Sequence, residues 1–196
     1  SYNGSALVGK WLVEHGFKVG IIAQPEVDVP DDITRLGEPN LFFAVSGGCV
    51  DSMVANYTAT KKRRQQDDFT PGGVNNKRPD RAVLVYSNMI RRFFKGTTKK
   101  IVISGIESSL RRITHYDYWT NKLRKPILFD AKADILSYGM GEMSMLELAN
   151  ALKNGEDWKN IKGLCYLSKE MKEDYLSLPS HSECLVDKDK FIEAFH

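Results

Sequence analysis

Apolar residues along the chain alternate between helical spacing and short continuous runs. Val8, Trp11 and Leu12 have the spacing of one helical face, and Asp31 with Asp32 begins a second, short helix. The same criteria predict further helices over residues 51–57, 82–95, 142–154 and 187–196. The helix over residues 82–95 carries basic residues in its last turn, which suits the negative end of the helix dipole.

Five apolar runs of strand length separate these helices, at residues 18–23, 41–46, 100–105, 132–139 and 161–167. Strands that alternate with helices predict an α/β fold with an open, mostly parallel sheet and helices on both faces. This is a Rossmann-like architecture. Because the chain begins in what reads as a loop and helix, a first strand is expected upstream of it. We expect residues 1–155 to form this domain and residues 156–196 to hold the last strand and a linker.

Composition narrows the class of protein. A chain of 196 residues with 42% hydrophobic residues can bury a core, and no apolar run approaches the length that crosses a membrane. The N-terminus lacks the pattern of a signal peptide, so a cytoplasmic location is the expectation. Cys49, Cys165 and Cys184 lie too far apart for a compact metal site, so no metal ligands are assigned.

Charge indicates only a weak case for nucleic acid. The net charge is +3, and the basic run at residues 61–64 is followed by Asp67 and Asp68, which partly cancel its field. The run lies in a polar stretch, residues 58–79, that reads as an excursion from the core. A nucleic-acid partner is therefore possible and poorly supported, and a solvated loop is the simpler interpretation.

In open α/β sheets, ligands bind beyond the carboxyl ends of the strands, so three segments there carry the candidate site. The first, SGGCVDS, contains Ser46, Gly47, Gly48 and Asp51. Paired glycines let backbone N–H groups approach a phosphate, and the segment is similar to the loop of ATP pyrophosphatase enzymes, with Val50 as an extra residue. The alternative is a tight turn in which Asp51 caps a helix.

The other two segments follow the third and fourth apolar runs. YGMGEM places Gly139 and Gly141 in a sharp turn and Glu142 at the start of a helix. GIESSLRRITHYDYW is denser in polar side chains, and its candidate site residues are Gly105, Glu107, Ser108, Arg111, Arg112, Tyr116 and Asp117. Two interpretations remain open: an ion pair between Glu107 and an arginine that fixes the loop, or an arginine that clamps a ligand carboxylate or phosphate.

Several stretches together resemble one family. GFKVGIIAQP, LGEPNLFF, GGCVDSMVANYTA, KRPDRA, GIESSLRR with HYDYW, and KADILSYGMGE occur in order over nearly the whole chain. They look like the N-terminal region of the YgiQ-type radical SAM proteins. The last part, GMGE followed by a helix and IKGLCYL, also resembles the cobalamin-binding-like domains that precede many radical SAM cores.

The resemblance implies an enzyme whose catalytic core lies downstream of this chain. In the full-length protein that core would hold a 4Fe-4S cluster on three closely spaced cysteines and would cleave S-adenosylmethionine reductively. No cofactor is assigned to this chain itself. Cobalamin is not expected, because the chain lacks the D-x-H-x-x-G motif that supplies the histidine of base-off cobalamin domains.

These considerations predict an accessory domain without catalysis of its own. It would pack against the downstream core of the same chain and shape the entrance for a substrate that the sequence does not specify. Two alternatives stay open: a nucleotide-binding domain of the ATP pyrophosphatase class that uses SGGCVDS, and a nucleic-acid-binding module that uses residues 61–64.

Overall fold

A computed structural model describes residues 4–171 and 173–195 of the chain. In chain order its helices are α1 (Gly4–Glu14), α2 (Pro30–Thr34), α3 (Ser52–Asn56), α4 (Ala82–Phe93), α5 (Gly105–Leu110), α6 (Ile127–Ala131), α7 (Glu142–Asn154), α8 (His181–Val186) and α9 (Lys188–Glu193). Its strands are β1 (Phe42–Ser46), β2 (Lys100–Ser104), β3 (His115–Asp117), β4 (Lys122–Arg124), β5 (Ile135–Ser137) and β6 (Leu164–Tyr166).

The main sheet has four strands in the order β1-β2-β5-β6. β1, β2 and β5 are parallel, and β6 is antiparallel to β5. The β1–β2 register pairs Phe42 with Lys100 at one end and Ser46 with Ser104 at the other. The carboxyl ends of β1 and β2 therefore meet at one edge, as the predicted architecture requires.

Alternating side chains of the central strand β2 divide the core between the two faces of the sheet. Ile101 and Ile103 pack with residues of α4 and α6, whereas Val102 packs with residues of α7. α1 packs on α7 through Leu12. The predicted mostly parallel sheet with helices on both faces is confirmed.

Two predicted strands differ from the structure. Residues 18–23 lie within the described ranges and form no strand. Ile21 is half exposed and turns its side chain toward α1, where its Cδ1 atom lies 3.2 Å from a Cβ built on Gly9. The run over residues 161–167 does contain β6, but β6 covers only three residues and is antiparallel. A first strand upstream of the chain stays a prediction, as does a domain boundary near residue 155.

Residues 58–79 leave the sheet and form a loop stabilised by buried polar contacts. The Arg78 guanidinium lies 3.0 Å from the Asp67 carboxylate, and both side chains are almost fully buried. The Asn75 amide donates to backbone carbonyls of Asn56 and Arg64, at 3.2 and 2.9 Å. Buried polar contacts of this kind order a loop, because breaking them would leave buried polar groups without partners. The excursion is thus a packed part of the domain.

The C-terminal segment returns to the body of the domain. The predicted helix over residues 187–196 corresponds to α9, which ends at Glu193, and residue 196 lies outside the described ranges. Before α9, helix α8 begins with a capping box between Ser180 and Glu183. Cys184, a residue of α8, is buried. His181 lies 3.3 Å from the Thr114 hydroxyl, which brings the segment next to β3. Among the described helices, none is both long and apolar enough to cross a membrane.

Candidate functional site

The carboxyl ends of β1 and β2 bring most of the predicted site residues together. Ser46 and Ser104 are paired at the last position of the ladder, and SGGCVDS and GIESSLRR leave the sheet side by side. This adjacency follows from the parallel register, because both strands point the same way. The two segments interact through the buried carboxylate of Glu107 and through an ion pair between Asp51 and Arg111.

Glu107 connects three elements of the fold. It lies in the first turn of α5 and is 2% exposed. Its Oε2 accepts a hydrogen bond from the backbone N–H of Ser52 at 3.0 Å, and its Oε1 accepts one from Val83 N–H at 3.2 Å. Those N–H groups belong to the first turns of α3 and α4, which have no intrahelical acceptor. Glu107 therefore satisfies the start of two helices at once.

Two glycines make room for this arrangement. A Cβ on Gly47 would lie 2.5 Å from Glu107 Oε2, so any larger residue would displace the carboxylate. Gly105 has a φ of +84°, and a Cβ there would lie 2.8 Å from Ser46 Oγ. Gly47 and Gly105 are thus required by close packing between the two segments, whereas a Cβ on Gly48 would meet no atom within 4 Å.

Arg111 pairs with a different carboxylate from the one suggested by the sequence. Its guanidinium forms a short ion pair with Asp51, and the same Nη1 donates to the backbone carbonyl of Glu107 at 3.1 Å. Asp51 also accepts from Met53 N–H at 2.9 Å, so the predicted helix cap is confirmed. The predicted ion pair between the Glu107 carboxylate and an arginine is wrong: Arg111 pairs with Asp51, and the Glu107 oxygens accept from backbone N–H groups.

The space around these groups is small. Burial raises the pKa of Glu107 above its usual range, and the nearby Asp51 carboxylate adds to that effect, although the Ser52 N–H bond opposes it. The cavity that Glu107 shares with Arg111 and His115 has a volume of about 10 Å³, which is room for one water at most. Burial lowers the pKa of His115, whose Nδ1 lies 3.1 Å from the Ile113 carbonyl. The cluster is a packed polar core rather than an open substrate pocket.

Asp117 forms a second polar cluster on the β3–β4 hairpin. It is buried, and its carboxylate lies 2.7 Å from the Arg81 guanidinium and 3.7 Å from that of Arg124. Burial alone would raise the pKa of Asp117, but hydrogen bonds from Thr120 and Arg81 outweigh burial and lower it. Tyr116, by contrast, is half exposed. The hairpin is fixed to the start of α4 by the Asp117–Arg81 pair.

The remaining predicted residues lie at the end of β5. Arg112 does not join the Glu107 cluster: it donates to the Ser109 carbonyl at 2.8 Å and lies over the Tyr138 ring, 5.2 Å from its centroid. Gly139 N–H donates to the Ser109 hydroxyl at 3.2 Å. Close by, Gly141 precedes α7 and Glu142 is its first residue, as predicted, while Ser108, a residue of α5, is fully buried.

The basic run at residues 61–64 is also engaged in the fold. Lys61 donates to the Trp119 carbonyl at 3.3 Å and lies over the Tyr118 ring at 4.7 Å. Arg64 donates to two backbone carbonyls, of Val54 and Tyr57. The Lys61 contacts hold the excursion against the aromatic end of GIESSLRRITHYDYW, and the Arg64 contacts hold it against α3 and its C-cap.

The cysteines do not fit an iron–sulfur cluster. Cys49 follows β1, Cys165 lies in β6 and Cys184 lies in α8, so they stand on separate elements. In the described part of the chain, no three His, Cys, Asp or Glu side chains are grouped as metal ligands. The exposed His15 has its ring tilted by 52° to that of Trp11, and its Nδ1 lies 2.7 Å from the Trp11 carbonyl.

The family described as "Radical SAM N-terminal" matches residues 1–196, which is the whole chain. The chain belongs to this radical SAM N-terminal family. The membership predicted from the sequence motifs is therefore confirmed, and the domain is the N-terminal part of longer proteins.

Relatives of this radical SAM N-terminal domain are named UPF0313 proteins. The chain is 97% identical over 196 residues to one from Fusobacterium nucleatum, covering all of this chain and 34% of that protein. A Thermotoga maritima protein is 51% identical over 194 residues (97% and 34% covered). One from Methanocaldococcus jannaschii is 51% identical over 199 residues (97% and 32% covered). The domain thus spans about a third of the length of these relatives.

A solved structure shares the fold of the domain. The radical S-adenosylmethionine methyltransferase TsrM from Kitasatospora setae, determined with tryptophan and a SAM analogue, matches with a TM-score of 0.54 at 18% identity. The match covers 83% of this chain and 25% of that one. At this identity the match concerns architecture alone.

Several residues that hold the site were missed from the sequence. Arg81 pairs with Asp117 from a left-handed conformation just before α4, with a φ of +54°. Ser52 accepts from Ala82 N–H at 3.0 Å and so joins α3 to α4. The only signal for Arg81 was its place in the recognised stretch KRPDRA, and its partner lies 36 residues away.

Proposed function

We propose that this chain is an accessory domain of a radical SAM iron–sulfur enzyme and carries no catalysis of its own. It would pack against a downstream core, in the cytoplasm, and shape the approach of the substrate to that core. The core would supply the 4Fe-4S cluster and the reductive cleavage of S-adenosylmethionine. Family membership and the short share of the relatives that the chain covers support this division.

The observation that carries the proposal is the way the strand-end polar groups are used. Glu107 accepts from two backbone N–H groups, Asp51 pairs with Arg111, and Asp117 pairs with Arg81. A general acid or base must reach a substrate atom, whereas each of these carboxylates is bonded to groups of the domain itself, and the cavity beside Glu107 has a volume of only about 10 Å³. Their arrangement favours stabilisation of the domain over chemistry.

Anaerobic reconstitution with iron and sulfide tests the division. We expect the 196-residue chain to bind no cluster and to leave S-adenosylmethionine intact, because its three cysteines stand on separate elements. The full-length UPF0313 protein, treated in parallel, is expected to bind a cluster and release methionine. A cluster on the isolated chain that supports cleavage would overturn the proposal.

The nucleotide-binding alternative rests on SGGCVDS, and the geometry of that loop weighs against it. Gly48 N–H donates to Ser46 Oγ, Ser52 N–H to Glu107 and Met53 N–H to Asp51. Carboxylates therefore occupy the positions at which a phosphate would accept. Calorimetry with ATP and magnesium decides, since a binding enthalpy abolished by Ser46→Ala with Asp51→Ala would restore this alternative.

The nucleic-acid alternative requires basic side chains that are free to contact phosphate, whereas Lys61 and Arg64 form hydrogen bonds within the domain. Binding through phosphates falls steeply with salt. We therefore expect no salt-sensitive affinity for a single-stranded RNA oligonucleotide. Cobalamin binding is likewise not expected, because the chain lacks the D-x-H-x-x-G motif that supplies the histidine ligand. Titration of the chain with hydroxocobalamin checks this.

A further inference from the structure

A group of exposed apolar side chains lies beside the strand-end polar clusters. The most exposed is Met140 at 87%, followed by Leu110 at 60%, Met143 at 58% and Ile106 at 44%. We refer to these four residues and Tyr138 as the strand-end apolar surface. Single exposed apolar residues are ordinary, but a grouped set beside the binding edge of a sheet indicates an interaction site.

The members of this surface come from two neighbouring segments. Ile106 and Leu110 belong to α5, while Tyr138, Met140 and Met143 belong to the β5–α7 connection and the first turn of α7. The Gly139 N–H to Ser109 hydroxyl bond and the Arg112 contact with the Tyr138 ring join the two segments. These contacts bring α5 and the β5–α7 connection together, and Leu110 and Met140 directly follow Ser109 and Gly139 in the chain.

The surface does not have the shape of a small-molecule site. None of its residues lines the water-sized cavity beside Glu107 or the groove of about 350 Å³ between α6 and the C-terminal segment. Small-molecule sites are concave and bury most of the ligand. Methionine is well suited to a surface that another protein covers, because its flexible side chain adapts to the partner.

We infer that the strand-end apolar surface is the face on which the downstream part of the same polypeptide packs. This inference rests on the proposed accessory role. The occupant is indicated by chain length: the domain makes up 34% of its Fusobacterium nucleatum relative, so about two thirds of that protein lies outside it. The carboxyl ends of the strands, where a free-standing α/β enzyme would bind its ligand, would then be covered by the core. The substrate would pass along the border between the domain and the core.

Cysteine labelling of the full-length Fusobacterium nucleatum protein tests the inference. Met140→Cys and Leu110→Cys report on the surface, and Lys10→Cys, whose parent side chain is 74% exposed on α1, is the matched control. Each variant is treated anaerobically with N-ethylmaleimide, and labelling of the relevant peptide is followed by mass spectrometry. Each rate is divided by the rate for the same variant unfolded in urea.

We expect the two surface variants to be protected at least about tenfold and Lys10→Cys to be unprotected, since labelling of a covered site requires opening. Unprotected Met140→Cys and Leu110→Cys would overturn the inference. Protection that disappears on dilution would also overturn it, because a second copy would then be the occupant.

Cluster content and methionine release are measured on the same samples. Loss of protection with cleavage intact refutes only the docking face, whereas absence of a cluster from the full-length protein refutes the proposed function itself.

Discussion

Replacement of Glu107 by glutamine isolates the hydrogen bonds that join α5 to α3 and α4. The side chain keeps its size, but one carboxylate oxygen becomes an NH2 group that faces a backbone N–H. The donors are Ser52 N–H at 3.0 Å and Val83 N–H at 3.2 Å, both buried. An unsatisfied buried donor costs about 1–3 kcal/mol. We expect Glu107→Gln to lose about 2 kcal/mol of unfolding free energy, or roughly 5 °C in Tm for a domain of this size.

The pH dependence of this loss has a definite sign. Burial raises the pKa of Glu107 in the folded state, so its stabilising contribution is complete below the unfolded-state pKa and is lost as the pH rises through the folded value. Glutamine does not titrate. The deficit of Glu107→Gln relative to the wild type should therefore shrink as the pH rises from the unfolded-state pKa through the raised folded-state pKa.

Urea unfolding followed by circular dichroism measures both effects. Glu147→Gln on the exposed face of α7 is the matched control and should change stability by no more than about 0.5 kcal/mol. Glu107→Ala should be more damaging than Glu107→Gln, because both N–H groups then lose their acceptor. If Glu107→Gln unfolds at the same urea concentration as Glu147→Gln, Glu107 does not anchor the two helices.

Four further substitutions, one of them a control, test the rest of the polar network. Gly47→Ala should cost about 1–3 kcal/mol in chemical unfolding, because its Cβ would lie 2.5 Å from Glu107 Oε2. Arg111→Met should lower the free energy of unfolding by about 3 kcal/mol, because it leaves the Asp51 carboxylate unpaired. Arg112→Met is the control and should lower it by less than about 1 kcal/mol. Equal losses would contradict the Arg111–Asp51 pairing. Asp117→Asn should destabilise at neutral pH, and thermal unfolding should show the loss fading as pH falls through the lowered folded pKa of Asp117.

The main architecture was predictable because it depends on local patterns. The continuous apolar runs of β1 and β2 identify buried strands, and the helical spacing in α4 and α7 identifies helices with one buried face. Residues 18–23 mislead for the same reason, since Val19, Ile21 and Ile22 give a strand pattern whatever they pack against. In the structure this segment packs against α1 and does not join the sheet, and the spacing of apolar residues cannot distinguish these two cases.

The partners within the site were less predictable, because they are set by contacts distant in sequence. Arg111 and Asp51 are 60 positions apart, and Glu107 and Ser52 are 55 apart. The sequence identified the cap formed by Asp51 from its position alone, which is a local signal. It could not show that Arg111 pairs with Asp51 and not with Glu107, since this pairing depends on how the backbone places the three side chains in space.

The most direct test of the accessory role compares two forms of the Fusobacterium nucleatum relative: the full-length protein and the downstream region without the segment that matches this chain. Both are reconstituted anaerobically, and bound iron and methionine released from S-adenosylmethionine are measured. If the domain is accessory, we expect the downstream region to retain the cluster and the cleavage reaction. A downstream region that folds but binds no cluster, with iron recovered on the 196-residue chain, would contradict it.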